Sequence, residues 1–247
     1  MNDKKAPVNG IAQLRNVALC YQAVTATQNA HQYTPKLAVL YGRSGDGKSL
    51  ATVFVAIRAG AYRVQVQSCW TKKYLLEMIL KERGIPPEKT VPHMVDQVAR
   101  QLSLSRRPLI IDEFDHLVTG SKLELVRDIY DASQSTILLV GEELLPRKLE
   151  KWERFHGRVL NWVQAAPCNE EDARLLLPIY APNLTVADEV LTQMVQAVRG
   201  STRRVATNLS RLRELAVNED EAYLDMTMLT ALGFAFATGD SPKPRAY

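Results

Sequence analysis

The chain has 247 residues, of which 46% are hydrophobic and 23% charged, with a net charge of +4 and a pI near 8.9. That composition excludes wholesale disorder, and the length suits one large domain or a domain with a small lid. The basic excess is mild and leans towards anionic partners without identifying one.

A helical pattern begins near Ile11, with Val17, Ala18, Tyr21, Ala23 and Val24 on its apolar face, and Thr34 and Pro35 break it. Lys36 to Tyr41 (KLAVLY) is a short apolar run that suits a buried parallel strand. A glycine-rich loop follows, then a helix from Ser49 to about Arg58. Ala61 to Gln67 alternates and is rich in valine, which predicts a second strand. Helices are expected over Thr71 to Arg83, closed by Gly84, and over Val91 to Ser103. Leu109 to Asp112 is a third strand, Leu123 to Ala132 a helix, Thr136 to Val140 a fourth strand and Arg158 to Val163 a fifth. Strands alternating with helices predict an α/β fold with a parallel sheet covered on both faces.

The pattern changes near Pro167, beyond which only helices are expected. Asn169 caps one that opens with Glu170, Glu171 and Asp172, whose charges favour the positive helix end. Thr185 with Asp188 reads as a capping-box start for a helix running to Arg199 and stopped by Gly200. Two more are expected from Thr202 to Ala216 and from Met226 to Phe236. The resulting division is a helical lead-in over 1–35, a core over 36–167, a helical lid over 168–237 and a flexible tail over 238–247.

Cys20, Cys69 and Cys168 are far apart and form no CxxC pair, so buried free thiols are expected rather than a disulfide framework. The four histidines show no metal-ligand spacing. The first ten residues lack the apolar segment of a secretion signal, and no apolar run reaches the length of a bilayer span. A cytoplasmic protein with no membrane partner is the expectation.

Residues Gly42 to Ser49, GRSGDGKS, satisfy the G-x-x-x-x-G-K-S/T pattern between an apolar strand and a helix. The amides of Gly42, Arg43, Ser44, Gly45, Asp46, Gly47 and Leu50 are placed to cradle phosphate oxygens. Lys48 would neutralise the β- and γ-phosphates of ATP, and the Ser49 hydroxyl would ligate Mg2+. The apolar strand that ends in Asp112-Glu113 supplies two carboxylates. Asp112 would hold the magnesium, and Glu113 would polarise the attacking water.

Three weaker signals fit the same chemistry. Glu142 stands at the tip of the strand TILLVGEE, a position that senses the γ-phosphate when that strand lies between the two nucleotide motifs. A carboxylate there would repel phosphate, so orienting a water or facing away from the site are the alternatives. Arg154 and Arg158 precede the last strand, from where an arginine can reach a neighbouring subunit's nucleotide. Arg203, in Gly200-Ser201-Thr202-Arg203, is placed to touch the γ-phosphate and couple it to the lid, with Arg204 as competitor.

Together these motifs resemble the AAA+ ATPases from about Ile11 to Val217. The resemblance implies a P-loop NTPase fold of five parallel strands and a C-terminal all-helical lid. Within that family the chain looks most like the transposition target-selector ATPases of Mu-like phages and related transposons (the MuB and TniB type). The stretch from Ala61 to Ile85, with its strand, Trp-containing turn and helix, carries that likeness. It implies sequence-non-specific binding of double-stranded DNA when ATP-loaded, self-association into a filament or ring, and activation of a transposase. The MuB type has an N-terminal DNA-binding domain, whereas the first strand here begins at Lys36, so DNA binding would fall to the ATPase domain. Lys72, Lys73, Lys81 and Arg83 are the candidate phosphate contacts. Arg106 and Arg107 are a second basic pair, but they abut the strand that ends in Asp112, and their simplest role is a polar loop. A helicase loader or initiator-type AAA+ ATPase, and an assembly switch acting on proteins without DNA, are the alternatives. The helicase-like D-E-x-D match of Asp112 to Asp115 lacks the second RecA-like domain a monomeric helicase needs.

Overall fold

The computed structural model describes residues 12–240. The expected helix onset at Ile11 and the tail beyond Asp240 lie outside the described residues. The chain divides into two compact units. One runs from Asn16 to Ser44 and from Lys48 to Ala165. The other contains, among the described residues, those from Ala166 to Asp240 together with Gly45–Gly47 and the segment from Ala12 to Arg15.

The first unit is an α/β layer structure. Its strands are β1 (Leu37–Gly42), β2 (Tyr62–Gln65), β3 (Leu109–Asp112), β4 (Ile137–Glu142) and β5 (Val159–Gln164). All neighbours are parallel and the order is β2-β3-β4-β1-β5. β4 therefore lies between the strand that enters the phosphate loop and the strand that ends in Asp112, as the sequence predicts. The helices are α1 (Arg15–Asn29), α2 (Lys48–Ala59), α3 (Lys72–Glu82), α4 (Val91–Ser105), α5 (Gly120–Ser133), α6 (Leu145–Glu150) and α7 (Glu153–His156).

Strand alternation sorts the core. Val39, Ile111 and Leu139 pack in one cluster with Leu76 and Ile79 of α3, Met94 and Val98 of α4, and Val126 of α5. Their alternate neighbours Leu40, Ile110 and Leu138 are equally buried but face away from that cluster, and α2 contacts β1, β2 and β3. Burial on both faces explains why β1 reads as a continuous apolar run, each such side chain contributing about 1.5–3 kcal/mol. Local chemistry fixes the ends. The Thr71 hydroxyl accepts from the Tyr74 amide at 3.1 Å to cap α3, and Gly84, at φ +67°, follows its C-terminus. α5 starts at Gly120, a turn earlier than predicted, because Thr119 supplies the extended N-cap residue.

The second unit holds α8 (Glu170–Tyr180), α9 (Asp188–Ala197), α10 (Thr202–Asn218) and α11 (Met226–Ala231). Asn169 caps α8 as predicted, in a reciprocal box with Asp172. Three expectations are corrected here. The unit is not purely helical: β6 (Thr185–Val186) pairs in parallel with β7 (Tyr223–Leu224). Thr185 is consequently a strand residue, and α9 starts from Ala187. α11 ends at Ala231 instead of Phe236, because Gly233 turns the chain at φ +64°. Fully buried Asn208 of α10 then pins the returning segment by bonds to the amide and carbonyl of Ala237, 2.8 and 3.2 Å.

Cys20 and Cys168 are buried, and burial pushes both thiols up to about 12, with nearby carboxylates adding to the effect. Cys69 is exposed, contrary to the expectation of three buried thiols. Among the described residues no helix is long and apolar enough to cross a membrane, and no group of three metal-ligating side chains occurs.

Candidate functional site

β1 delivers the phosphate loop. Gly42, its last residue, lies opposite Glu142, the last residue of β4, so the tip predicted to sense phosphate stands beside the start of the loop. The Glu142 side chain is exposed. Gly45 and Gly47 take φ +90° and +83°, conformations that glycine adopts without strain. Lys48 opens α2, and its ammonium donates to the carbonyls of Gly42 and Arg43, both at 2.8 Å. Arg43 and Ser44 are exposed, Ser49 and Leu50 half-buried and Asp46 buried.

One turn into α2, Thr52 connects the loop helix to β3. Its hydroxyl donates to the Ser49 carbonyl at 2.7 Å and lies 3.5 Å from Asp112 Oδ2. Asp112 is only 2% exposed, and Arg63 of β2 pairs with its Oδ2 at 2.7 Å. Its Oδ1 accepts the Glu113 amide at 3.0 Å. Ser49 and Asp112, the two expected metal ligands, thus belong to adjoining elements tied through Thr52. Sequence reading missed Arg63 and Thr52, since neither belongs to a motif.

Glu113 sits at φ 57°, ψ 41°, a left-handed conformation that costs a non-glycine residue about 1 kcal/mol or more and concentrates at functional positions. The turn forms because β3 ends abruptly and a 3-10 turn over Phe114–Leu117 must start at once. Phe114 anchors that turn by stacking on Phe155, ring centroids 5.9 Å apart. The Glu113 carboxylate is half-buried and makes no hydrogen bond among the described residues.

The second aspartate of the DEFD run is also structural machinery. Asp115 Oδ2 accepts the Glu142 amide at 2.6 Å, and its Oδ1 accepts the Lys148 ammonium of α6 at 2.6 Å. A Cβ on Gly141 would lie 2.3 Å from Asp115 Oδ2, so only glycine fits beneath this clamp. Asp115 therefore fastens the loop bearing Glu113 to the tip of β4. Asp115→Ala strands the Glu142 amide and is expected to lower turnover roughly tenfold, with nucleotide affinity nearly unchanged. Separate measurement of kcat and nucleotide Kd checks this.

The two finger candidates differ. Arg158 makes a bidentate pair with Asp131, 2.6 and 2.8 Å, which holds its guanidinium above the ordinary arginine range. Arg154, on α7, is exposed. Within the second unit, the Arg203 amide donates to the Gly45 carbonyl at 3.0 Å, and the Arg203 side chain is exposed. Arg204 turns towards the Gly239 carbonyl instead, 3.5 Å away.

The four proposed DNA contacts stand in two different settings along α3. Lys72 and Lys73 open α3, whereas Lys81 and Arg83 lie at its other end, roughly 15 Å away at 1.5 Å per residue. Lys72 lines a cleft of about 550 Å³ shared with Asp96, Glu124 and Asp128, and Lys73 lies 3.8 Å from Glu77. Arg83 packs its guanidinium 3.9 Å from the centroid of the Tyr62 ring, and Arg107 approaches the same ring at 5.2 Å. Burial, opposed by Tyr62 and aided by the charge of Arg107, holds Arg83 below its usual range.

A family model described as "AAA domain" matches residues 31–149. A search of the curated proteins finds no match. The ORC2 protein of Aeropyrum pernix, solved in ADPNP–ADP complexes, is similar with a TM-score of 0.68 and 14% identity, over 93% of this chain and 69% of that one. The Aeropyrum pernix ORC1 protein in complex with DNA gives 0.62 and 17%, over 90% and 65%. The RuvB Holliday junction branch migration motor of Thermotoga maritima gives 0.58 and 14%, over 91% and 70%. At these identities the likeness carries the fold alone. Residues 31–149 are similar to the AAA domain, and the chain has an α/β fold like that of the AAA+ P-loop NTPases.

Proposed function

We propose that the chain is an ATP-hydrolysing AAA+ ATPase that grips double-stranded DNA without sequence preference, self-associates when ATP-loaded and presents the DNA to a transposase. One observation carries the nucleotide chemistry: the start of α2, with Lys48, and the end of β3, with Asp112 and Glu113, are joined by the Ser49–Thr52–Asp112 linkage. The amides from Gly42 to Leu50 bind phosphate oxygens, and Lys48 exchanges its loop carbonyls for the β- and γ-phosphates. Glu113 takes a proton from the attacking water, while Glu142 orients a second water or faces solvent. Arg154 is the arginine offered to a neighbouring subunit, since Arg158 is committed to Asp131. Arg203 reads the γ-phosphate from the lid.

Ser49 and Asp112 suit Mg2+, which binds through one or two protein oxygens and otherwise keeps water and phosphate ligands. Asp112 Oδ1 accepts one hydrogen bond and retains a lone pair for such a water. When bound, the ion neutralises charge on the transferring phosphoryl group.

Duplex DNA binds at the far end of α3. Lys81 and Arg83 are joined there by Arg106 and Arg107, and none of these four makes an ion pair with a carboxylate among the described residues. Like charges converging on one tyrosine ring are relieved by an anion such as a backbone phosphate. Converting Arg106 and Arg107 to Ala is expected to weaken duplex binding at every sequence alike. The slope of log affinity against log salt should shrink by about 2. Anisotropy titrations across salt concentrations read both. An unchanged slope returns the role to Lys72 and Lys73.

An initiator-type or loader ATPase is the second reading, favoured by the fold likeness to the Aeropyrum pernix ORC proteins. DNA-dependent turnover stimulated by a cognate transposase, with helical filaments in electron micrographs, supports target selection. Closed rings without that stimulation support the initiator reading, and no DNA response leaves a protein-assembly switch.

A further inference from the structure

Asp112 is almost wholly buried, and a buried carboxylate without compensation is costly. Its compensation is already built in. Arg63 lies two residues before Gln65, which pairs in register with Asp112, so Arg63 shares the sheet face on which the Asp112 side chain stands. Arg63 Nη2 reaches Asp112 Oδ2 at 2.7 Å, and Arg63 Nε donates to Thr52 Oγ1 at 2.8 Å. A third, longer bond runs from Nη2 to Gln65 Oε1 at 3.3 Å. The guanidinium is itself largely buried, its side chain 18% exposed. A planar fork held at three points does not swing away as a lysine would.

We infer that Arg63 is a resident counter-cation for Asp112, which makes nucleotide binding tolerant of metal loss and weakens the site's hold on Mg2+. The inference rests on the proposed role of Asp112 towards the metal. Two consequences follow from simple electrostatics. Without a divalent cation, Arg63 alone keeps the Asp112 charge paired, so the sheet end and the loop helix stay assembled. With the cation present, two positive centres share one carboxylate and repel each other, so the half-saturating Mg2+ concentration rises. Arg63 is a positioning residue in this scheme, because it acts through Asp112 and Thr52 and touches no reacting atom.

The test is thermal unfolding of the full chain in EDTA and in millimolar MgCl2, together with ADP affinity in the same two media. Wild-type protein should bind ADP within about threefold in both, and its melting temperature should barely change. Arg63→Gln leaves Asp112 unpaired, so its melting temperature should fall by roughly 5–10 °C in EDTA and recover most of that in MgCl2. It should also half-saturate at about tenfold lower Mg2+. Arg63→Lys keeps the charge but not the fork, and should fall between. If Arg63→Gln proves too unstable in EDTA to purify, adding Asp112→Asn should restore it by removing the unpaired charge. Equal destabilisation in EDTA and in MgCl2 would overturn the inference, since that is what a purely structural arginine gives. Absence of ADP binding by the wild type would sink the ATPase reading, while the metal dependence of the two melting temperatures would still decide the role of Arg63.

Discussion

Glu113→Gln is expected to bind ATP as tightly as the wild type and to hydrolyse it at least ~100-fold more slowly. The amide keeps the size of the carboxylate and the left-handed backbone at φ 57°, so the loop itself should not move. What it loses is the ability to take a proton. Asp112 cannot substitute, because its two oxygens already answer to Arg63 and to the Glu113 amide and it is almost fully buried. Phosphate release under single-turnover conditions, set beside equilibrium ATP binding, checks the pair of expectations. Turnover within a few-fold of the wild type would assign the water to another group, with Glu142 next in line.

Lys48→Ala is expected to lower nucleotide affinity by about 100-fold or more. A charged donor to phosphate is worth roughly 1.5–3 kcal/mol per hydrogen bond, and Lys48 has two oxygens within reach even of its own loop. The side chain is half-buried at the start of α2 and not part of the apolar core, so the fold should survive its loss. Calorimetric titration with ATP, accompanied by a melting curve, separates lost binding from lost structure. Unaltered affinity in a folded variant would remove the phosphate-loop assignment. The two substitutions divide the site into its binding and chemical halves, and Asp115→Ala then reports how firmly the two are held in register.

Much of this arrangement is legible in contiguous residues. GRSGDGKS is readable from sequence because the pattern lies in the spacing of its own glycines, lysine and serine between a strand and a helix. LIIDE announces a buried strand ending in two acids, and β3 begins and ends where that run predicts. The placement of β4 between β3 and β1 also follows, from the type of ATPase in which the glutamate succeeds the aspartate. Asn169 and Gly84 mark helix ends by chemistry that acts over a few residues.

Other features had no local signature. β6 and β7 are two residues each and 38 positions apart, too short to show a period. The basic residues of α3 looked alike in sequence. Burial against Tyr62 and the acidic surroundings of Lys72 set them apart, and both depend on which helices pack alongside. Arg154 and Arg158 were likewise equivalent until Asp131, 27 residues away, claimed Arg158. By itself the sequence determined the loop, the acidic strand end and the parallel α/β order, because each is written in adjacent residues or in their period. Only the tertiary structure decided that Arg63 neutralises Asp112 and that Asp115 clamps Glu142. Those bonds join residues 49 and 27 positions apart, and a hydrogen bond between distant side chains leaves no trace in either neighbourhood.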